Sequence, residues 1–183
     1  KNDALLIVDE GQCGIGRTGK WCAYQWENIK PDVVPLAKGL GSGIPIGAVL
    51  TNETSGKLMG PGSHGTTFGG NPFAMRAGIE TLKIIEEENL MENAIARGKQ
   101  ILESLNNAFC KNKEIVEIRG CGLMIGIELK KPCKEIARIA LEKGLLINVT
   151  ESNVIRLLPP LIISKDEVEI LTKRLIPVIK EFI

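Results

Sequence analysis

Histidine is almost missing from this chain: His64 stands alone among 183 residues. A histidine-rich metal site is therefore excluded, and a serine–histidine triad has a single available base. Aromatic residues make up only 4% of the chain, too few for a base-stacking surface. Neither sign of charge dominates. Lys and Arg number 23 against 22 Asp and Glu, the net charge is +1, and the two signs are interspersed, so no nucleic-acid footprint forms. No apolar run reaches the roughly 18 residues that a membrane span needs. No basic stretch leads into an apolar one, so no secretory signal is expected. The 5 cysteines are odd in number and contain no C-x-x-C pair, as befits reduced thiols used as small hydrophobes. A cytoplasmic protein that engages neither nucleic acid nor membrane is expected. The chain opens on Lys1 and enters an apolar strand at once, which reads as part of a longer polypeptide.

What is present is a substantial apolar fraction, 44%, enough for a real core. Residues 1–80 are rich in glycine and short apolar runs. Leu5–Val8 is apolar on both faces and predicts a buried parallel strand. Val33–Ala37 and Gly47–Leu50 predict two more short strands, and 60–65 a loop. From Phe73 to Phe109 the apolar residues recur at helical spacing, with Asn89 marking a break. Beyond Ile115 the pattern runs strand, strand, helix, strand, strand, helix. Gly120 and Gly122 flank the first turn, Gly144 ends the helix over 134–143, and Ser164 caps the last helix.

The residues that point to chemistry begin with Lys38, set in Leu36-Ala37-Lys38-Gly39-Leu40-Gly41-Ser42-Gly43. Small and apolar neighbours predict poor solvation of the ammonium, which favours the neutral amine. Such a lysine attacks carbonyls and forms Schiff bases. Upstream, Asp9 ends an apolar strand, where open α/β sheets present ligand groups. In isolation it would read as a cap or a surface carboxylate; with Lys38 it reads as the acid that keeps a pyridine nitrogen protonated. Gln12 is placed to bond a phenolic oxygen, or is a solvated loop amide. Thr66-Thr67, amid glycines, suit a phosphate or satisfy a turn. Arg156, inside Val154–Leu158, demands an anionic partner, either an internal carboxylate or a substrate's. Gly14-Ile15-Gly16-Arg17-Thr18-Gly19 matches G-x-G-x-x-G but follows Asp9 too distantly and leads into no clear helix; Trp21 also breaks the P-loop pattern.

Together, Leu6–Gly19, Ala37-Lys38-Gly39, His64–Pro72, Arg119–Gly126 and Arg156–Pro160 resemble the class III (subgroup II) pyridoxal phosphate-dependent aminotransferases, most of all the members acting on acetylornithine. The resemblance implies an α/β, fold type I architecture: residues 1–75 as the C-terminal part of the cofactor-binding large domain, 76–109 as a long helical connection, and 110–183 as a small α+β C-terminal domain. It implies pyridoxal 5'-phosphate as cofactor, with Lys38 as the Schiff-base lysine and catalytic residue. Asp9, Glu10, Gly11, Gln12 and Thr67 would be cofactor-binding, Thr67 on the neighbouring subunit's phosphate. Thr66 and Arg156 would bind substrate. It further implies a homodimer with shared active sites, amino-acid and 2-oxo-acid substrates, and amino transfer from N-acetylornithine to 2-oxoglutarate in arginine biosynthesis. Ornithine, succinylornithine and 4-aminobutyrate are the alternative donors, and a truncated non-catalytic module the alternative role. Gly11 stands where this family usually carries valine or isoleucine; Pro35 and Ser42 also depart from its pattern.

Overall fold

The computed structural model describes residues 4–183. The chain divides at Met91/Glu92 into two compact units.

In the first unit the extended segment before Asp9 lies parallel to β1 (Val33–Leu36), through an Ile7–Val33 bridge. The Val8 and Glu10 amides donate to the carbonyls of Val33 and Pro35, each at 3.0 Å. β1 then pairs antiparallel with β2 (Ala48–Thr51), Leu36 opposite Ala48. The parallel pairing matches the expectation from the apolar run; its burial does not. Leu5, Leu6 and Ile7 are 51%, 44% and 59% exposed. A two-sided apolar strand is buried only where elements cover both faces, and this unit leaves these side chains open. A helical turn, α1 (Glu53–Gly56), follows β2, with Asn52 capping it through the Ser55 amide.

Residues 11–22 form successive turns rather than a phosphate-binding loop and helix. Ile15, Gly16 and Gly19 take positive φ values of 55°, 81° and 92°. The G-x-G-x-x-G stretch thus serves chain reversal, with the Gly19 amide donating to the Gly16 carbonyl.

α2 (Pro72–Glu87) starts at Asn71, whose side chain accepts from the Ala74 amide at 2.9 Å, with proline at the first helical position where its missing N–H costs nothing. It packs over the turn that carries Lys38. The fit depends on Gly78: a Cβ there would lie 3.1 Å from Ile46 Cδ1 and 3.6 Å from the Leu40 carbonyl oxygen. The helix stops where Asn89 adopts φ 51°, as its position predicts, and α3 (Leu90–Phe109) follows.

The second unit is an antiparallel sheet in the order β3-β4-β6-β5, with β3 (Ile115–Cys121), β4 (Met124–Leu129), β5 (Asn148–Thr150) and β6 (Val154–Leu157). Alternation decides its faces. Ile125, Ile127, Leu129, Ile155 and Leu157 point into a core shared with Ile101 and Leu105 of α3, Ile136 of α4 (Ile136–Glu142), and Leu175 and Ile179 of α5 (Lys165–Phe182). The α3 side chain of Asn93 donates to the carbonyls of Leu161 and Ile163, at 2.7 and 3.0 Å. Ser164 caps α5 in a reciprocal box with Glu167, and Gly144 closes α4 at φ 73°. The tightest crossing lies at Gly98, where α3 meets the β3–β4 turn; a Cβ there would sit 2.0 Å from the Gly122 carbonyl oxygen.

Among the described residues no helix is long and apolar enough to cross a membrane, and no cluster of metal-ligating side chains is found. None of the five cysteines is paired in a disulfide.

Candidate active site

Two neighbouring parallel segments end together in the first unit, and each ends on a residue with chemistry. Glu10 is bonded to Pro35 of β1, so Asp9 and Lys38, two residues past β1, sit at the same edge. The thiol of Cys13 reports both. Its pKa is raised first by burial, then by the charges of Glu10 and Asp9, while Lys38 pulls the other way. Two carboxylates and an amine thus act on one sulfur at the end of these segments.

Lys38 opens a 3₁₀ turn over Lys38–Gly41 at φ 49°, a left-handed conformation uncommon outside glycine. Buried Leu36 and Leu40 hold the turn from both sides. The amine itself is exposed, which corrects the expected enclosure. The apolar residues around Lys38 face inward as anchors, and the glycines beside it supply no wall.

Asp9 is also exposed, and its Oδ1 accepts the Gly11 amide at 2.8 Å. A Cβ at residue 11 would lie 2.8 Å from the same oxygen. Gln12 is half-buried in the following turn. Glu10 has a different part. It is 1% exposed, and its two carboxylate oxygens accept the amides of Ala23 and Tyr24, each at 2.9 Å. Its carboxylate is engaged in shaping the 11–26 loop. Burial, with the Glu10 charge second, pushes the Cys22 thiol up to about 11.

Thr66 lines a recess of about 800 Å³ with His64, Phe68, Asn71, Phe73 and the 44–47 segment. Lys38 and Asp9 are not among its walls. Thr67 is exposed beside it. Gly69 permits this loop, since a Cβ there would meet Thr66 Cγ2 at 2.0 Å.

In the second unit Arg156 is half-buried and lines a groove of about 510 Å³ with Leu146, Asn148, Leu158, Pro159 and Pro160. The apolar strand around it is explained by register, because Arg156 lies on the face opposite Ile155 and Leu157. On that face Arg119, Gly126, Arg156 and Asn148 form one row across the sheet. Arg119 Nη1 lies 2.7 Å from both Glu117 and Glu128. Sequence reasoning did not single out this trio; the turn at Gly122 is its only signal, because it sets Glu117 opposite Glu128 and Arg119 opposite Gly126.

The donor set at Asp9 and Lys38 fits pyridoxal phosphate. An exposed amine and an exposed carboxylate share one strand edge, and glycines at 11 and 39 keep side-chain bulk off it.

The description "Aminotransferase class-III" matches residues 1–179. Acetylornithine aminotransferase 1 of Bordetella parapertussis is 51% identical over 179 residues, which are 98% of this chain and 46% of the relative. The ornithine aminotransferase structure from Plasmodium yoelii superposes with a TM-score of 0.92 at 37% identity, over 99% of this chain and 49% of that one. An ornithine aminotransferase from Toxoplasma gondii, with partial occupancy of PLP at its active site, gives 0.91 at 35% identity, over 98% of this chain and 43% of its own. The chain therefore spans about half the length of the relatives it matches. It belongs to the class III aminotransferases, pyridoxal phosphate-dependent enzymes of the fold type I architecture.

Proposed function

We propose that the protein carrying this chain is a transaminase that moves an amino group from N-acetylornithine to 2-oxoglutarate, as a step of arginine biosynthesis in the cytoplasm. The observation that carries the reading is the shared strand edge of Asp9 and Lys38. The 51% identity to an acetylornithine aminotransferase supports the choice of donor.

Pyridoxal phosphate, when bound, supplies an aldehyde that accepts the amino group and a protonated ring that draws electrons from the carbon losing its proton. Lys38 would hold it covalently through Nζ and, once freed, move that proton as an amine base. The left-handed turn fixes where the amine starts, and the buried Leu36 and Leu40 keep the turn in place. Asp9 would keep the proton on the ring nitrogen. Its Oδ1 accepts the Gly11 amide, which orients the carboxylate. Gln12 would bond the phenolic oxygen. Thr67, exposed on its loop, suits a phosphate across a homodimer interface, and Thr66 a substrate. Arg156 would bind the substrate carboxylate through its planar fork. Residues 1–75 would then belong to the cofactor domain, 76–109 to the connection and 110–183 to the small domain.

The purified full-length protein with pyridoxal phosphate is expected to gain a visible absorbance that Lys38→Ala abolishes. It is also expected to consume N-acetylornithine faster than ornithine. Absorbance that persists in Lys38→Ala would overturn the assignment. The ornithine aminotransferase structures among its neighbours favour ornithine as the second reading, and the same assay with both donors decides between them.

A further inference from the structure

We infer that Arg119 is a positioning residue that keeps Glu128 away from Arg156, so that Arg156 stays committed to a carboxylate ligand. The inference rests on the proposed role of Arg156. Strand register and one ion pair of the second unit carry it. Gly126 stands directly opposite both arginines, with Arg119 on β3 and Arg156 on β6. Glu128 lies one rung along, opposite Val154, on the same face. That makes it the diagonal cross-strand neighbour of Arg156, a separation that long side chains span. Yet Glu128 is bonded at 2.7 Å to Arg119, on its other side.

Gly126 makes this arrangement possible. The position its Cβ would take is 3.8 Å from both Cγ and Nε of Arg119, so the Arg119 stem lies over the glycine, in the row between the two strands. Val154 Cγ1 closes the same spot from the β6 side, 3.4 Å away. From there the Arg119 guanidinium claims Glu128 and Glu117 together, and these bonds, Glu128 first, strengthen its hold on its proton. Arg156 meanwhile lines the groove beside Asn148, Leu158 and Pro159. A carboxylate diagonal to a substrate-binding arginine competes with every carboxylate substrate. Pairing that carboxylate with a second arginine removes the competition without lowering the positive charge offered to the ligand.

The test uses the full-length holoenzyme and steady-state rates with the amino donor and the oxo acid varied separately. Arg119→Met is expected to raise both KM values about three- to fivefold, the upper end of what a partly exposed charge pair carries. The kcat and the cofactor absorbance are expected to stay at the parent values. Adding Glu128→Gln is expected to return KM to the parent value, because the competitor has lost its charge. An unchanged KM in Arg119→Met, a fall in kcat in place of the rise, or a failed rescue overturns the inference. Should Arg119→Met not fold, Arg119→Gln keeps a polar stem without the charge, and the same rise is required of it. Arg156→Lys separates the two layers: its KM is expected to rise roughly tenfold or more as bidentate contact is lost. If Arg156→Lys has no effect, the reading and the inference fall together. If it raises KM and Arg119→Met does not, the inference falls alone.

Discussion

Gly98→Ala sets two physical effects against each other, and the structure says which wins. Position 98 lies within α3, where replacing glycine by alanine ordinarily gains about 1 kcal/mol of helix propensity. Here the added Cβ would lie 2.0 Å from the Gly122 carbonyl oxygen, 2.5 Å from its carbon and 3.0 Å from its Cα. All three are backbone atoms of a turn between paired strands, so no rotamer change relieves the overlap. Either α3 moves by more than an ångström or the β3–β4 turn does. Both movements disturb Ile101, Leu105 and Leu123, each 0% exposed. Forced overpacking of a close-packed core costs about 1–3 kcal/mol, and a backbone-to-backbone clash belongs at the top of that range or beyond it. The net expectation is a loss of about 2 kcal/mol, or a fall in melting temperature of roughly 4–8 °C for a chain of this size. Both tryptophans lie in the first unit, so far-UV circular dichroism is the probe to follow. Ala96→Gly, on the exposed side of the same helix, is the control and should lose about 1 kcal/mol through propensity alone. A Gly98→Ala protein as stable as the parent, or more stable, would refute the packing argument.

Glu10→Ala leaves the amides of Ala23 and Tyr24 without their carboxylate and should cost about 2–3 kcal/mol; limited proteolysis is expected to cut faster within residues 11–26. Ser164→Ala removes the cap of α5 and should cost about 1 kcal/mol in urea unfolding, with a smaller loss in Ser164→Asn. The Cys22 thiol is raised from 9.0 to about 11, so the folded state disfavours its ionisation. The stability this contributes is whole below pH 9 and drains away as pH rises toward 11. Cys22→Ala should therefore flatten the alkaline limb of a stability–pH curve, and alkylation of the native protein should label exposed Cys110 and Cys121 long before Cys22 and Cys133.

Local signals were readable in the chain where short-range chemistry decides the outcome. Asn89 breaks the helical run because it adopts a left-handed backbone, and Ser164 opens α5 because its hydroxyl meets the Glu167 amide. Asp9 and Lys38 could be placed at strand ends because apolar runs stop there. What could not be read depends on neighbours distant in sequence. Apolar residues at Leu5–Ile7 announce a strand, but only covering elements bury it. Residues flanking Lys38 look like a dry enclosure in one dimension, whereas in space they turn inward and leave the amine outside. Arg156 seemed buried in an apolar strand until the register with β4 assigned it to the other face. The resemblance set Glu10 beside Asp9 in the candidate site, although successive residues on an extended segment point opposite ways. Gly98 gave no warning, since a close helix–turn crossing leaves no trace in a window of sequence.

Lys38 holds a backbone shape that suits glycine better than lysine. Such a residue costs of order 1 kcal/mol and persists only where its surroundings impose it. A Lys38→Gly chain should consequently melt later than its parent while losing the amine altogether. Variants selected solely for ruggedness would then drift toward discarding that side chain, so any screen for tougher versions of this protein must score the amine as well as the melt.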